Sequence, residues 1–142
     1  MNLRPLTTVQ RTLHPTIIQF LKFGIVGSIG FVLDNAAVYL IIGATGLSSS
    51  LAALIDFLPI ATLTWLGNRY FTFREAKRTS KHKQWIKFLT VCGIGLVFNR
   101  GTALFLFQTY PFINDHPILG LAAGTGVAMF FNFFFSKKLV FR

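Results

Sequence analysis

The chain has 142 residues, 53% hydrophobic and 13% charged, with 17 Phe and a formal net charge of +10. A nucleic-acid-binding domain spreads basic residues over a folded surface, whereas here they gather at the ends of long apolar runs, so no nucleic-acid partner is expected. The apolar excess reads as an integral membrane protein, and the lone Cys92, inside an apolar run, excludes an internal disulfide and reads as a small packing residue.

In chain order, Met1 to Pro15 carries Arg4, Arg11 and His14 and reads as a mobile or interfacial arm on the cytoplasmic side. The first apolar run, about 20–42, is long enough to cross ~30 Å of hydrocarbon as a helix, and no cleavable signal peptide is expected. Gly24, Gly27, Ser28 and Gly30 allow close helix approach in it, and Lys22 can snorkel at its start. An uncharged Gly- and Ser-rich turn follows, then a second span at about 51–71, where Pro59 is expected to bend the helix. Asp56, in its outer half, has two readings: a water-exposed residue at the outer interface, or part of a pathway.

Residues 74–87 form the most basic segment and read as a cytoplasmic loop, because Lys and Arg are retained on that side. Trp85 suits the interface, the loop suits anionic membrane lipid, and His82 reads as solvated. A third span at about 88–107, an outer loop at 108–117 and a fourth span at about 118–135 complete the chain. Neither outer loop carries Lys or Arg, so both termini fall on the cytoplasmic side.

Two hexapeptides break the apolar pattern. Gly30-Phe31-Val32-Leu33-Asp34-Asn35 lies in the first span and Gly95-Leu96-Val97-Phe98-Asn99-Arg100 in the third, each with polar groups at its end. A charge deep in a bilayer costs about 2.5–3.5 kcal/mol on insertion scales, so Arg100 is expected to face a partner or a cavity. Asp34 is the candidate partner, as a structural salt bridge or as part of a substrate site. The ends of the halves also match: Thr64 to Arg74 aligns with Asn132 to Arg142, with a shared final Phe-Arg and a basic residue, Arg69 or Lys137, five positions earlier. The expected fold is therefore all-α: a polytopic membrane protein of four transmembrane helices, built as two parallel helix-pair repeats in one domain.

These residues resemble the GtrA-like family of small membrane proteins. The likeness runs from Phe20 to Arg142 and rests on Phe23-Gly24-Ile25-Val26-Gly27, Asp34, Asn68-Arg69-Tyr70-Phe71-Thr72-Phe73, Gly124-Thr125-Gly126, Asn132-Phe133 and Val140-Phe141, with Lys137-Lys138 standing where an arginine is expected. The resemblance implies an inner-membrane protein of cell-surface polysaccharide synthesis that flips a polyprenyl-phosphate-linked monosaccharide, the sugar being attached by a partner glycosyltransferase. On that implication Arg69, Asn68, Lys137 and Lys138 meet the phosphate at the cytoplasmic face. Arg100 and Asp34 handle it at depth, and Asn35, Asn99 and Asn132 offer hydrogen bonds to sugar hydroxyls.

The sequence carries no Ser-His-Asp set, nucleotide-binding glycine loop or metal cluster, so neither an enzyme nor a cofactor is expected. Two other readings remain open: a non-transporting anchor that stabilises a glycosyltransferase through the basic loop, and a proton-coupled small multidrug exporter using Asp34. Four helices scarcely enclose an amphipathic substrate, so a homo-oligomer is expected, with Gly24 to Gly30 and Gly120 to Gly126 as its contact faces.

Overall fold

A computed structural model describes residues 14–76 and 79–142, so residues 1–13 of the amino-terminal arm, with Arg4 and Arg11, and residues 77–78 of the basic segment lie outside the described residues. The described chain is helical. Helix α1 spans Pro15–Thr45, α2 Ser49–Gly67, α3 Lys81–Thr109, α4 Pro111–Asp115 and α5 Pro117–Phe135. Two π-helical turns, Asn68–Thr72 and Ser136–Val140, extend α2 and α5.

Local chemistry sets these bounds. Pro15 occupies the first turn of α1, where its missing N–H costs nothing, and the Thr16 amide donates to His14 Nδ1 at 3.3 Å. The helix closes at Gly46, whose left-handed φ of 69° is open to glycine without a Cβ penalty and whose N–H donates to the Ile42 carbonyl. Ser48 then caps α2 by accepting from the Leu51 amide.

Four segments are long and apolar enough to cross a membrane: Pro15–Thr45, Ser49–Thr72, Lys81–Thr109 and Pro117–Val140. Each outruns the apolar run that marks it in the sequence, because hydropathy registers only the part in hydrocarbon while backbone hydrogen bonding carries the helix beyond it. At 1.5 Å per residue α1 is roughly 46 Å long and projects past a ~30 Å core. The expected 74–87 loop is likewise helical from Lys81 onward, with the Gln84 amide bonded to the Ser80 carbonyl. In the expected 108–117 loop, Pro111 starts the single-turn α4. α2 runs through Pro59 as one helix.

The helices associate as two pairs. α1 packs along α2, and α3 packs along α5 more extensively than any other two helices; α1 meets α5 and α2 meets α3 over shorter stretches. The backbones of α1 and α3 do not come close to one another. Glycines set the close approaches: a Cβ at Gly30 would overlap the Thr64 side chain, one at Gly120 the Phe107 ring, and one at Gly124 the Asn99 carbonyl. The small-residue faces expected to join copies of the chain are thus largely used inside it, with Gly27 and Gly126 left open.

Both pairs end alike. The Phe73 amide donates to the Asn68 carbonyl at 2.8 Å and the Phe141 amide to the Ser136 carbonyl at 2.9 Å, each closing a π turn. The turns deliver Phe73 and Phe141 to one another as stacked rings, 4.6 Å between centroids and 15° between planes. Around them lie Phe23, Trp65, Phe88, Val91, Phe133 and Val140, with Cys92 partly buried beside them. This aromatic core joins the pairs at the end where the helices carry their basic residues. Elsewhere large apolar side chains such as Leu33, Leu40, Leu54, Val97 and Phe105 point outward, as a lipid-facing surface requires.

Candidate functional site

The basic end of the bundle also buries polar side chains. The first π turn places Asn68, Arg69 and Thr72 on its inner side. Asn68 Nδ2 donates to the Thr64 carbonyl at 3.0 Å, and the Thr72 hydroxyl donates to Asn68 Oδ1 at 2.9 Å, so the carboxamide ties the turn back onto α2. Arg69 is only 8% exposed. Its Nη1 donates to Gln84 Oε1, its Cζ lies 5.8 Å from the Trp65 ring centroid, and its Nε has no hydrogen-bond partner. Gln84, itself 2% exposed, donates from Nε2 to the Val140 carbonyl at 3.2 Å.

Arg69 pairs with no carboxylate, since the one ion pair among the described residues is Arg74–Glu75, at 3.8 Å on the surface. Taking an ion out of water costs several kcal/mol unless it is compensated, and Arg69 has a neutral amide, an aromatic face and the Tyr70 hydroxyl for this, with no carboxylate among them. An unneutralised buried guanidinium with an orphaned donor is what an anion would complete.

In the second π turn, Lys137 Nζ donates to Thr16 Oγ1 on α1 at 2.8 Å and lies 5.9 Å from the Phe133 ring centroid. Lys138 is exposed, and the fully buried Ser136 hydroxyl has no partner. From this end an open apolar groove of about 410 Å³ runs between α1 and α5, lined by Phe20, Gly24, Ile25, Ser28 and Met129 among others. Phe20 links groove and lysine, for its ring meets Phe133 at 5.1 Å.

The deeper polar residues do not gather. Asp34 and Arg100 each stand roughly 28 Å along their helices, yet α1 and α3 are apart and no ion pair joins them. The salt bridge that equal depth suggested is therefore absent: a helix pair in each half puts α2 beside α1 and α5 beside α3. Asp34 instead lies near Asp56 of α2. Asp56 is 3% exposed with Oδ2 unpartnered, which removes its reading as a water-exposed interface residue. Arg100 is exposed on α3.

The three asparagines serve their own packing. Asn35 Nδ2 donates to the Phe31 carbonyl of its own helix at 2.8 Å, and Asn99 Nδ2 to Thr125 Oγ1 of α5 at 3.2 Å. Asn132 fills the space that Gly95 leaves, with Oδ1 unpartnered. Gln84, Trp65 and Thr72 are the participants that sequence reading missed. Only Trp65, four residues before Arg69, carried a local signal, a helical spacing that stacks the two.

A search of curated proteins finds no match to the chain. The transmembrane domain family described as GtrA/DPMS matches residues 22–141, which takes in most of the first membrane-spanning segment, the other three whole and both π turns. This chain is a multi-pass membrane protein, and it belongs to the GtrA/DPMS transmembrane domain family.

Proposed function

We propose that the protein translocates a polyprenyl-phosphate-linked monosaccharide across the inner membrane, with its basic end in the cytoplasm. The family match supports a lipid-linked sugar as cargo. The observation that carries the reading is the buried Arg69 guanidinium, held without a carboxylate at the basic end of the bundle. A guanidinium offers a planar fork of donors that fits two oxygens of one phosphate, and it stays charged at any physiological pH.

In this reading Arg69, Asn68, Lys137 and Lys138 form the capture face, and the polyprenyl tail lies in the apolar groove between α1 and α5, so no enclosed pore is needed. Charge placement supports the orientation, since the described outer connections at 46–48 and 110–116 lack Lys and Arg. Arg100 acts later. Exposed at depth and unpaired with Asp34, it is a second guanidinium that the phosphate, or another copy of the chain, covers. Asn35, Asn99 and Asn132 are kept as sugar contacts that must exchange their present partners. The like endings of the two helix pairs support a parallel repeat whose halves rearrange around the cargo. Chemistry on the sugar belongs to a partner glycosyltransferase, and a homo-oligomer completes the lateral enclosure.

The test is reconstitution in liposomes with a short-chain polyprenyl-phosphate sugar, reading exchange between leaflets. The natural sequence is expected to exchange the lipid, Arg69→Lys to slow it by about tenfold through loss of the fork, and Arg100→Ala to slow it as well. No exchange above empty liposomes by folded protein would sink the reading and favour an anchor for a glycosyltransferase.

A further inference from the structure

Gln84 sits in the first turn of α3 among Lys81, Lys83 and Lys87, all exposed, and alone of these four it turns inward and is buried. Its carboxamide works at both ends. Oε1 accepts from Arg69 in the first π turn, and Nε2 donates to the Val140 carbonyl in the second. It is therefore a side chain that bridges the two π turns, and so the two helix pairs, by hydrogen bonds.

Few side chains can do this. A carboxylate would accept from Arg69 but could not donate to Val140, an ammonium would repel the guanidinium, and an apolar chain would leave both partners unsatisfied. The neutral character matters further. A carboxylate is the usual partner of a buried arginine, and it would quench the charge that an anionic substrate needs; a carboxamide fixes the guanidinium and leaves that charge in place.

We infer that Gln84 is a positioning residue of the anion site, holding Arg69 through Nη1 while leaving its charge for a substrate phosphate. This rests on Arg69 being the phosphate contact.

The test uses the full chain purified in detergent, with farnesyl phosphate as probe in calorimetric titration and thermal melting run in parallel. Gln84→Glu gains an ion pair with Arg69 but loses the bond to the Val140 carbonyl, so it is expected to melt within a few degrees of the natural sequence and to bind the probe at least about tenfold more weakly. Gln84→Met, close in size but without polar atoms, is expected to bind several-fold more weakly and to melt lower.

A merely structural glutamine predicts the reverse for Gln84→Glu: affinity unchanged so long as the fold is kept. Natural-level affinity in folded Gln84→Glu overturns the inference and leaves the function reading standing, whereas a natural sequence that fails to bind farnesyl phosphate overturns both. Should Gln84→Glu not fold, Gln84→Met decides, and natural-level affinity in that variant overturns the inference.

Discussion

Two ionised carboxylates close together repel, the more strongly the further they lie from water, unless one of them takes up a proton. Asp34 and Asp56 lie near one another, no ion pair joins Asp34 to Arg100, and the backbone of α3, which carries Arg100, stays apart from that of α1. Asp56→Asn keeps the shape and removes a charge, so it is expected to stabilise the protein by about 1 kcal/mol, seen as a higher melting temperature in detergent. An unchanged or lower value would mean that the Asp56 charge is compensated. Arg69 is the opposite case. Arg69→Ala strips Gln84 Oε1 of its donor and opens a space beside Trp65, with an expected loss of about 1–3 kcal/mol in the same melt.

Among the elements, α3 and α5 approach closely because Gly124 faces the Asn99 backbone carbonyl, where even one methyl group has no room. Gly124→Ala is expected to cost about 1–3 kcal/mol by forcing the backbones apart. Gly126, two residues on, has nothing within 4 Å. Gly126→Ala should be neutral or gain up to about 1 kcal/mol from helix propensity, so thermal melting of the two variants separates contact from propensity. The π turns make a second element-level case. Each places a phenylalanine in the shared core, and the rings of Phe73 and Phe141 stack at 4.6 Å. A double-mutant cycle with Phe73→Leu and Phe141→Leu should return a coupling of about 0.5–1.5 kcal/mol. Additive losses would show that the turns hold independently of one another.

For the whole molecule, four spans place residues 46–48 and 110–116 at one end of the bundle, and residues 79–80 and Arg142 at the other. In a Cys92→Ala background, single cysteines at Ser48 and at Ser80 should react with a membrane-impermeant maleimide from opposite faces of sealed vesicles, Ser48 from outside the cell. Labelling of both from one face would break the four-span topology. The packing is uneven along the membrane normal: the aromatic core and the Gln84 bridge bind the pairs at the basic end, while outward-facing leucines and phenylalanines dominate elsewhere.

Class, number of spans and family likeness were legible in the sequence because each depends on local or additive properties: an apolar run of sufficient length, lysines and arginines between runs, and short motifs in a given order. Arg69 and Lys137 were legible too, as basic residues at matching places after each run. The neighbours of each residue required the tertiary structure. Equal depth made Asp34 and Arg100 look like a pair, but depth is one coordinate of three, and the packing of α1 on α2 and α3 on α5 sends the two side chains to different places. The same packing turned Asp56 inward near Asp34, assigned the glycines to contacts within the chain, and brought Gln84 from a basic stretch to Arg69. Hydropathy is a sum along the chain, whereas partnership depends on which faces meet. The structure decides those faces through close packing at a few glycines and an aromatic core at one end.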